Sequence, residues 1–426
     1  MNAKKAFYRW VQITLIKPLL SKTSGAQKLF QQLAVPIEEA KVRIWFHAAS
    51  VGELEALTPI IFEHSKHVKF EIVITIFSES AQDSLKHLVD SLQFSEAKVI
   101  AFGFSPWEGE WLTALRLGKP KLFVTVKYEA WPDLWMSLHE LTIPLMIVAT
   151  SPRSSLLWAK RICAWLGAPL PKMILLTNTE ADAITLQSWF NHAEVQCAGE
   201  PRWDQVRAKM AKQNLRSLGV VSWAKALPKP WGVLGSLWPE DLKVWRSTLS
   251  GVDGTLWFVP HKVETSAVVK FRNELERAGF LVFLSSEAGE NEIRLGERLE
   301  KKCVLVDEMG ILFDLYRVAD WAFIGGGFGP ATVHSTIEPA IFGIPIAVGP
   351  KGCAKFSEIS VLAGNGQLTI VDSPRSLKTW YQTQRLSDPE RRAGWKMSLV
   401  NQYGATSRVV SESLRQIEYL QDEKKI

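Results

Sequence analysis

Apolar residues gather along this chain in short blocks rich in β-branched and aromatic side chains, divided by longer stretches of mixed polarity. In the first half the blocks are Val42–His47, Phe70–Ile76, Lys98–Phe102, Leu122–Val126, Leu145–Ala149, Met173–Thr177 and Val195–Gly199. Blocks of this length read as buried strands, and the stretches between them are long enough for helices of about ten residues or more. Strand and helix in strict alternation predict a parallel, doubly wound sheet. Residues 205–230 interrupt the pattern: they are charged and end in Pro228-Lys229-Pro230, which suits an inter-domain link. The alternation then restarts with Trp231–Leu237, Thr255–Val259, Phe280–Leu284, Cys303–Val306, Asp320–Ile324 and Gly343–Val348, and helical pattern follows from about Pro374. The expected organisation is an N-terminal segment 1–40, a Rossmann-like domain 41–215 and a second such domain 216–426 with the C-terminal helices. Two halves of this kind facing one another form a cleft, the preferred place for a ligand.

Two strand-to-helix turns stand out for chemistry. In the second half Ile324 runs into Gly325-Gly326-Gly327-Phe328-Gly329-Pro330 and then a short helical pattern containing His334 and Glu338. Glycines allow close approach to the backbone, and bare N–H groups at a helix start hold anions. His334 and Glu338 are four apart, so a helix stacks them on one face, and a carboxylate there can bind ribose hydroxyls. Against this, Ser335-x-x-Glu338 also fits a capping box, in which Glu338 only closes a helix, and His334 also suits a structural role. In the first half His47-Ala48-Ala49-Ser50-Val51-Gly52-Glu53 places Glu53 at a helix start beyond a strand, where open α/β sheets bind ligands. The plain alternative is a first-turn glutamate that complements the helix dipole.

Composition adds the setting. At 426 residues, 47% hydrophobic and 22% charged, the chain describes ordinary globular domains with ample core. Four cysteines, Cys163, Cys197, Cys303 and Cys353, lie scattered without metal-ligand spacing, which suits reduced thiols. No acidic cluster has hard-metal spacing, so no metal is expected. The net charge of +6 is matched by the excess of basic over acidic residues within residues 1–43 alone. That segment also carries Phe7, Tyr8, Trp10, Ile13 and Ile16, a composition that suits an anionic membrane surface. Arg9 and Lys17 bracket too short an apolar run to span, since a span needs about 20 residues. A basic, partly buried first helix is the simpler alternative. Nucleic acid is not expected, because no basic patch interleaved with aromatics recurs.

Several motifs, in order, resemble the 3-deoxy-D-manno-octulosonic acid (Kdo) transferases. They are the turn His47–Glu53, Lys127-Tyr128-Glu129-Ala130-Trp131, Arg153-Ser154, and Gly199-Glu200-Pro201-Arg202-Trp203-Asp204. The second half adds Gly235-Ser236-Leu237-Trp238-Pro239-Glu240-Asp241, Pro260-His261-Lys262, Val306-Asp307-Glu308-Met309-Gly310, the glycine turn through Glu338-Pro339-Ala340, and Gly349-Pro350 followed by Lys355-Phe356. The pattern departs at Leu237, Thr332-Val333 and Ser335, where the family often carries other residues.

The resemblance implies a GT-B fold and an inverting transfer of Kdo from CMP-Kdo to a lipid A precursor, at the cytoplasmic face of the inner membrane, with a membrane-associated N-terminal helix and no metal. It implies Glu53 as general base, with Glu129 holding the acceptor or orienting the site. A structural salt bridge is an alternative for Glu129. Donor contacts fall to Ser236, His261, Lys262, the backbone of Met309, Gly310 and Ile311, Gly326, Gly327, His334, Glu338 and Lys355. Acceptor contacts fall to Ser50, Gly52 and Arg153. Two other functions fit the same residues less well. One is a related enzyme with another nucleotide sugar or acceptor, including a nucleotide-sugar epimerase. The other is a non-catalytic membrane-associated binding protein, which needs neither Glu53 nor Glu129.

Overall fold

The computed structural model describes residues 3–16, 26–38, 41–211, 214–288, 301–383, 385–386 and 388–422. The chain forms two compact units, Met1–Gln205 with Gln402–Ile426, and Val206–Asn401. The boundary thus falls ten residues before the expected 215/216. The stretch expected to be a link holds helices Arg202–Lys209 and Leu215–Trp223. The last helix, Ala405–Asp422, belongs to the first unit rather than the second. Its start is tied by Asp204, whose carboxylate accepts from Gly404 N and Thr406 N at 2.7 Å each, and Val409 and Ile417 enter the core under helix Val51–Ser65.

The first unit is a parallel sheet of β1 (Val42–Ala48), β2 (Phe70–Ile76), β3 (Lys98–Phe104), β4 (Leu122–Val126), β5 (Leu145–Thr150), β6 (Met173–Thr177) and β7 (Glu194–Cys197), in the order β3-β2-β1-β4-β5-β6-β7. Every position of β1, β2, β4, β5 and β6 is buried, which is why these strands read as unbroken apolar runs rather than alternating ones. The two faces still alternate: Ile44 and Phe46 join one core cluster and Trp45 the other. The charged exception is Arg43, opposite Glu71 in the β1–β2 register and paired with it at 2.8 Å. Arg43 also donates to Gly118 O and Val35 O, so this buried guanidinium is fully engaged.

The second unit repeats the design with β8 (Trp231–Leu237), β9 (Thr255–Pro260), β10 (Phe280–Leu284), β11 (Lys301–Leu305), β12 (Trp321–Ile324), β13 (Ile346–Val348) and β14 (Leu368–Ile370), in the order β10-β11-β9-β8-β12-β13-β14. The short strand β14 was not visible in the hydrophobic pattern. Much of the chain's tryptophan is core: Trp45, Trp111, Trp135, Trp203, Trp245, Trp257, Trp321 and Trp380 are fully buried.

The N-terminal segment begins with helix Ala3–Val11 and a π-turn Gln12–Ile16. Its inner face is docked. Arg9 Nε donates to Asp133 Oδ1 at 2.5 Å, Arg9 Nη2 to Ser137 Oγ at 3.0 Å, and Tyr8 Oη to Glu108 Oε1 at 2.9 Å. Its outer face leaves Phe7 62% and Trp10 52% exposed. Among the described residues no helix is long and apolar enough to cross a membrane.

Candidate functional site

In the first sheet the chain leaves β1 for β2 and β3 on one side and later places β4 on the other. The carboxyl ends of β1 and β4 therefore flank the switch point, where open α/β sheets bind ligands. The turn after β1 carries Ser50, Gly52 and Glu53, and the turn after β4 carries Lys127 to Trp131. Glu53 is the third residue of helix Val51–Ser65, and its Oε2 accepts from Ala49 N at 2.7 Å and Ser50 N at 3.2 Å. The capping reading is thus realised by one oxygen; for Oε1 no hydrogen bond occurs among the described residues. Burial, then the charge of Glu129, pushes the Glu53 carboxyl up to about 7, against the pull of the Ala49 amide, Lys127 and His47. A carboxylate poised there is suited to take a proton at neutral pH.

Glu129 is buried, and its Oε2 accepts from Trp131 Nε1 at 2.5 Å. His47 Nε2 lies 3.3 Å from the same oxygen, off the line of a closed hydrogen bond. Lys127 sits in the left-handed region at φ 59, an uncommon conformation for a lysine, at the strand end. Glu200 and Arg202, at the end of β7, pair at 3.0 Å. Burial opposes ionisation of Glu200, but Arg202 and Lys127 outweigh it and hold the carboxyl below its ordinary range. Arg153 lies over the Tyr128 ring, its guanidinium carbon 4.6 Å from the centroid, and donates to Tyr128 Oη at 3.1 Å.

The second sheet has its own switch point, between β8 and β12. Asp241, in the first turn of helix Pro239–Trp245, bridges it: Oδ2 accepts from Trp238 N and from Gly326 N, at 2.9 Å each. Burial pushes its carboxyl up to about 6 although those amides pull it down. Ser236 adopts φ 52 beside a register shift in β8, and its carbonyl lies against Gly325. The glycine turn has a packing cause. Gly326 takes φ +96, and a Cβ on Gly327 would stand 2.5 Å from Gly349 Cα. The Gly326 N–H, expected to meet a donor phosphate, is committed to Asp241.

Trp238, His261 and His334 form an aromatic stack. The His261 and His334 centroids are 4.4 Å apart, Trp238 and His261 are 4.8 Å apart, and Trp238 Nε1 donates to His334 Nε2 at 3.0 Å. Burial, then the neighbouring His261, lowers His334 to about 4; burial and Lys262 lower His261. Both rings are therefore uncharged at neutral pH, as close stacking of two imidazoles requires. Trp238, His261 and Lys262 line a cavity of 660 Å³ between helices Pro239–Trp245 and Thr265–Arg277.

The remaining expected donor residues lie outside that lining. Met309 and Gly310 are exposed and Ile311 is buried, just before helix Leu312–Val318. Glu338 does not close a capping box with Ser335: the helix starts at Ile337 with Thr336 as cap, and Glu338 Oε1 accepts from Lys209 Nζ at 3.1 Å. Lys355 is exposed on a short turn. Sequence reasoning quoted His47, Lys127, Trp131, Trp238 and Asp241 without giving any of them a role. The signal was present for Asp241, an acid two residues after Pro239 in a helix start. It was absent for His47, which the pattern absorbed as the end of an apolar strand. Among the described residues no three His, Cys, Asp or Glu side chains gather as a metal site.

Paired parallel sheets with ligand-type turns at both switch points define the class of GT-B proteins, which solved structures bear out. The chain superposes on the UDP-GlcNAc 2-epimerase from Neisseria meningitidis bound to UDP-GlcNAc with a TM-score of 0.58 at 11% identity, covering 88% of this chain and 100% of that one. Residues 23–205 match the family model described as 3-Deoxy-D-manno-octulosonic-acid transferase (kdotransferase). The 3-deoxy-D-manno-octulosonic acid transferase of Aquifex aeolicus is 25% identical over 74% of this chain and 78% of its own length. That of Haemophilus influenzae is 24% identical over 74% and 72%. In its first unit above all, the chain is thus similar to the Kdo transferases.

Proposed function

We propose that this chain is an inverting glycosyltransferase that moves Kdo from CMP-Kdo to a lipid A precursor in lipopolysaccharide biosynthesis. The observation that carries the reading is Glu53, a half-buried carboxyl at about 7 with one oxygen uncommitted, at the switch point of the first sheet. An acceptor hydroxyl gives its proton to Glu53 as its oxygen bonds to the anomeric carbon. The bond from that carbon to the CMP phosphate breaks, and the electron pair leaves with CMP. In the second unit Lys262 and the backbone ahead of helix Leu312–Val318 are the donors suited to that phosphate. The uncharged Trp238–His261 ledge suits a flat heterocycle. The transfer as written draws on no metal. Ser50, Gly52 and Arg153, around the first switch point, are assigned to the acceptor. The deciding experiment is a mass-spectrometric assay of full-length chain with CMP-Kdo and a lipid A precursor; absence of a Kdo-bearing product would end this reading.

Glu338 is assigned to the ribose. Glu338→Gln is expected to weaken CMP binding by about 1–3 kcal/mol in calorimetric titration, because a charge-assisted bond becomes a neutral one. Stability hardly moves, since the Lys209 pair is partly exposed and worth about 0–1 kcal/mol. Unchanged CMP affinity would remove Glu338 from the site.

Peripheral attachment to the cytoplasmic face of the inner membrane is assigned to the outward face of helix Ala3–Val11. Phe7 and Trp10 stack there with centroids 6.1 Å apart, and Lys4 lies over the exposed Trp165 ring. Exposed aromatics beside lysines suit an anionic interface. Deleting the segment would uncover Asp133, so the clean test is Phe7→Ser with Trp10→Ser. Binding to anionic liposomes is expected to fall roughly tenfold or more in sedimentation, while a variant that sediments as the parent does would assign the helix to packing alone.

A further inference from the structure

We propose that a cavity at the amino end of the first sheet binds a phosphomonoester, a dianionic phosphate on a soluble or a lipid body, at a site separate from the transfer chemistry.

The cavity has a volume of 790 Å³, within the range of about 300–1,000 Å³ that holds small organic ligands. It lies at the last turns of helices Trp111–Gly118 and Pro132–Glu140 and at the residue ahead of β6. Lys121 precedes β4 and Lys127 follows it. At about 3.3 Å per residue the strand separates them by about 20 Å. The cavity is thus at the opposite end of the sheet from Glu53 and Glu129.

The lining carries one sign of charge. Arg116, Lys119, Lys121 and Lys172 are cations, His139 adds an imidazole, and none of the described lining residues is acidic. Buried Leu115, Leu138 and Ile143 supply apolar surface beside them. Cations near helix C-termini ordinarily complement the dipole and the last carbonyls. Here those carbonyls already have partners. Leu115 O accepts from Lys119 N at 2.8 Å, and Gly118 O from Arg43 Nη1 at 2.8 Å. Ser137 O, Leu138 O and His139 O accept from the amides of Leu141, Ile143 and Thr142 at 2.9 to 3.1 Å. The side-chain charges are not needed for that task.

Lys119 makes the case most directly. It closes helix Trp111–Gly118 in the left-handed region at φ 44, a position that glycine takes with least strain. Its side chain is exposed and meets no carboxylate among the described residues. Neither packing nor ion pairing accounts for a lysine there, whereas an anionic ligand does. Arg116 pairs with Glu140 at 2.9 Å, and Lys172 lies 3.3 Å from Glu194. Both pairs are partly exposed, and Glu194 is shared with Arg415 and Gln416, so both are weakly held. A dianion in the cavity draws on all these cations together, and the Arg116 fork suits phosphate oxygens.

The test uses the full chain. Glycerol 3-phosphate is titrated calorimetrically in excess CMP. Flotation is measured with vesicles containing phosphatidate or, at equal surface charge, phosphatidylglycerol. Lys119→Gly removes the cation and relieves the left-handed lysine, so its thermal midpoint is expected at or near that of the parent. Its affinity for the phosphomonoester is expected to fall about tenfold, and that of Arg116→Gln likewise. Lys86→Gln makes the same charge change on helix Gln82–Ser91, outside the cavity lining, and is expected to stay within about twofold. Lys119-dependent binding of glycerol 3-phosphate assigns a soluble ligand; a Lys119-dependent preference for phosphatidate assigns a lipid headgroup. A parent that shows neither overturns the proposal. So does equal binding by the parent, Lys119→Gly and Arg116→Gln, or a fall as large in Lys86→Gln. Neither measurement involves transfer, so the result stands whatever the donor and acceptor of the reaction prove to be.

Discussion

Glu53→Gln is expected to fold as the parent does, to bind CMP-Kdo with unchanged affinity, and to lose about 10²–10⁴ in turnover. The two effects separate because the two carboxyl oxygens do different work. Oε2 accepts the amides of Ala49 and Ser50 at the start of helix Val51–Ser65, and a glutamine carbonyl can accept them as well. A glutamine carboxamide, with one carbonyl oxygen and an NH2 group, cannot take a proton from an attacking hydroxyl. Glu53→Ala is the contrasting variant. It loses the cap as well, so its denaturant midpoint is expected to fall by the equivalent of about 1 kcal/mol. Turnover and donor affinity measured side by side check this, and near-parental turnover in Glu53→Gln would remove Glu53 as the base. The acidic limb of kcat/KM should lie near 7, because the free enzyme must ionise Glu53 before it can accept a proton.

The sheets were legible because fully buried parallel strands leave a plain trace. Phe70–Ile76 and Leu122–Val126 are buried at every position and end where the apolar runs end. β14 is three residues long and half exposed, too short to leave such a trace. The association of residues 402–422 with the first unit was not legible. It depends on Asp204 capping a helix 200 residues away and on His64 Nε2 meeting Ser413 Oγ at 2.6 Å. Periodicity reports which face of a helix is apolar, never which core receives it.

The same distinction runs through the sites. Glu53 and Glu129 were found as acids at strand ends, a local feature. That they flank one switch point, with His47 and Trp131 converging on Glu129, follows from strand order, which only the structure supplies. The glycine turn is the instructive miss. Its residues invited a phosphate, yet Gly326 is committed to Asp241 and Gly327 makes room for Gly349. A glycine pattern states that something comes close, and here what comes close is the protein's own chain.

Asp133→Ala is expected to lower stability by about 3–5 kcal/mol, the range for removing one partner of a buried ion pair. Asp133 is fully buried at the start of helix Pro132–Glu140. Its Oδ1 accepts from Arg9 Nε at 2.5 Å, and its Oδ2 accepts from Gly109 N at 2.8 Å and Trp111 N at 3.2 Å. Alanine leaves those donors behind in a dry site, and Ser137 and the partly exposed Glu140, 3.7 Å from Arg9 Nη1, are weak substitutes for a buried carboxylate beside a guanidinium. The loss should therefore appear first as release of helix Ala3–Val11, before the sheet opens. Trypsin is expected to cut after Lys4 and Lys5 faster in Asp133→Ala than in the parent at a denaturant concentration where both retain near-native far-UV circular dichroism. Arg9→Met is the partner experiment: it removes the buried cation, keeps apolar volume, and leaves Asp133 its two amide donors. Its cost should be smaller than that of Asp133→Ala. Equal trypsin rates in parent and Asp133→Ala would mean that Tyr8 and the apolar contacts, not the ion pair, hold the helix whose outer face carries Phe7 and Trp10.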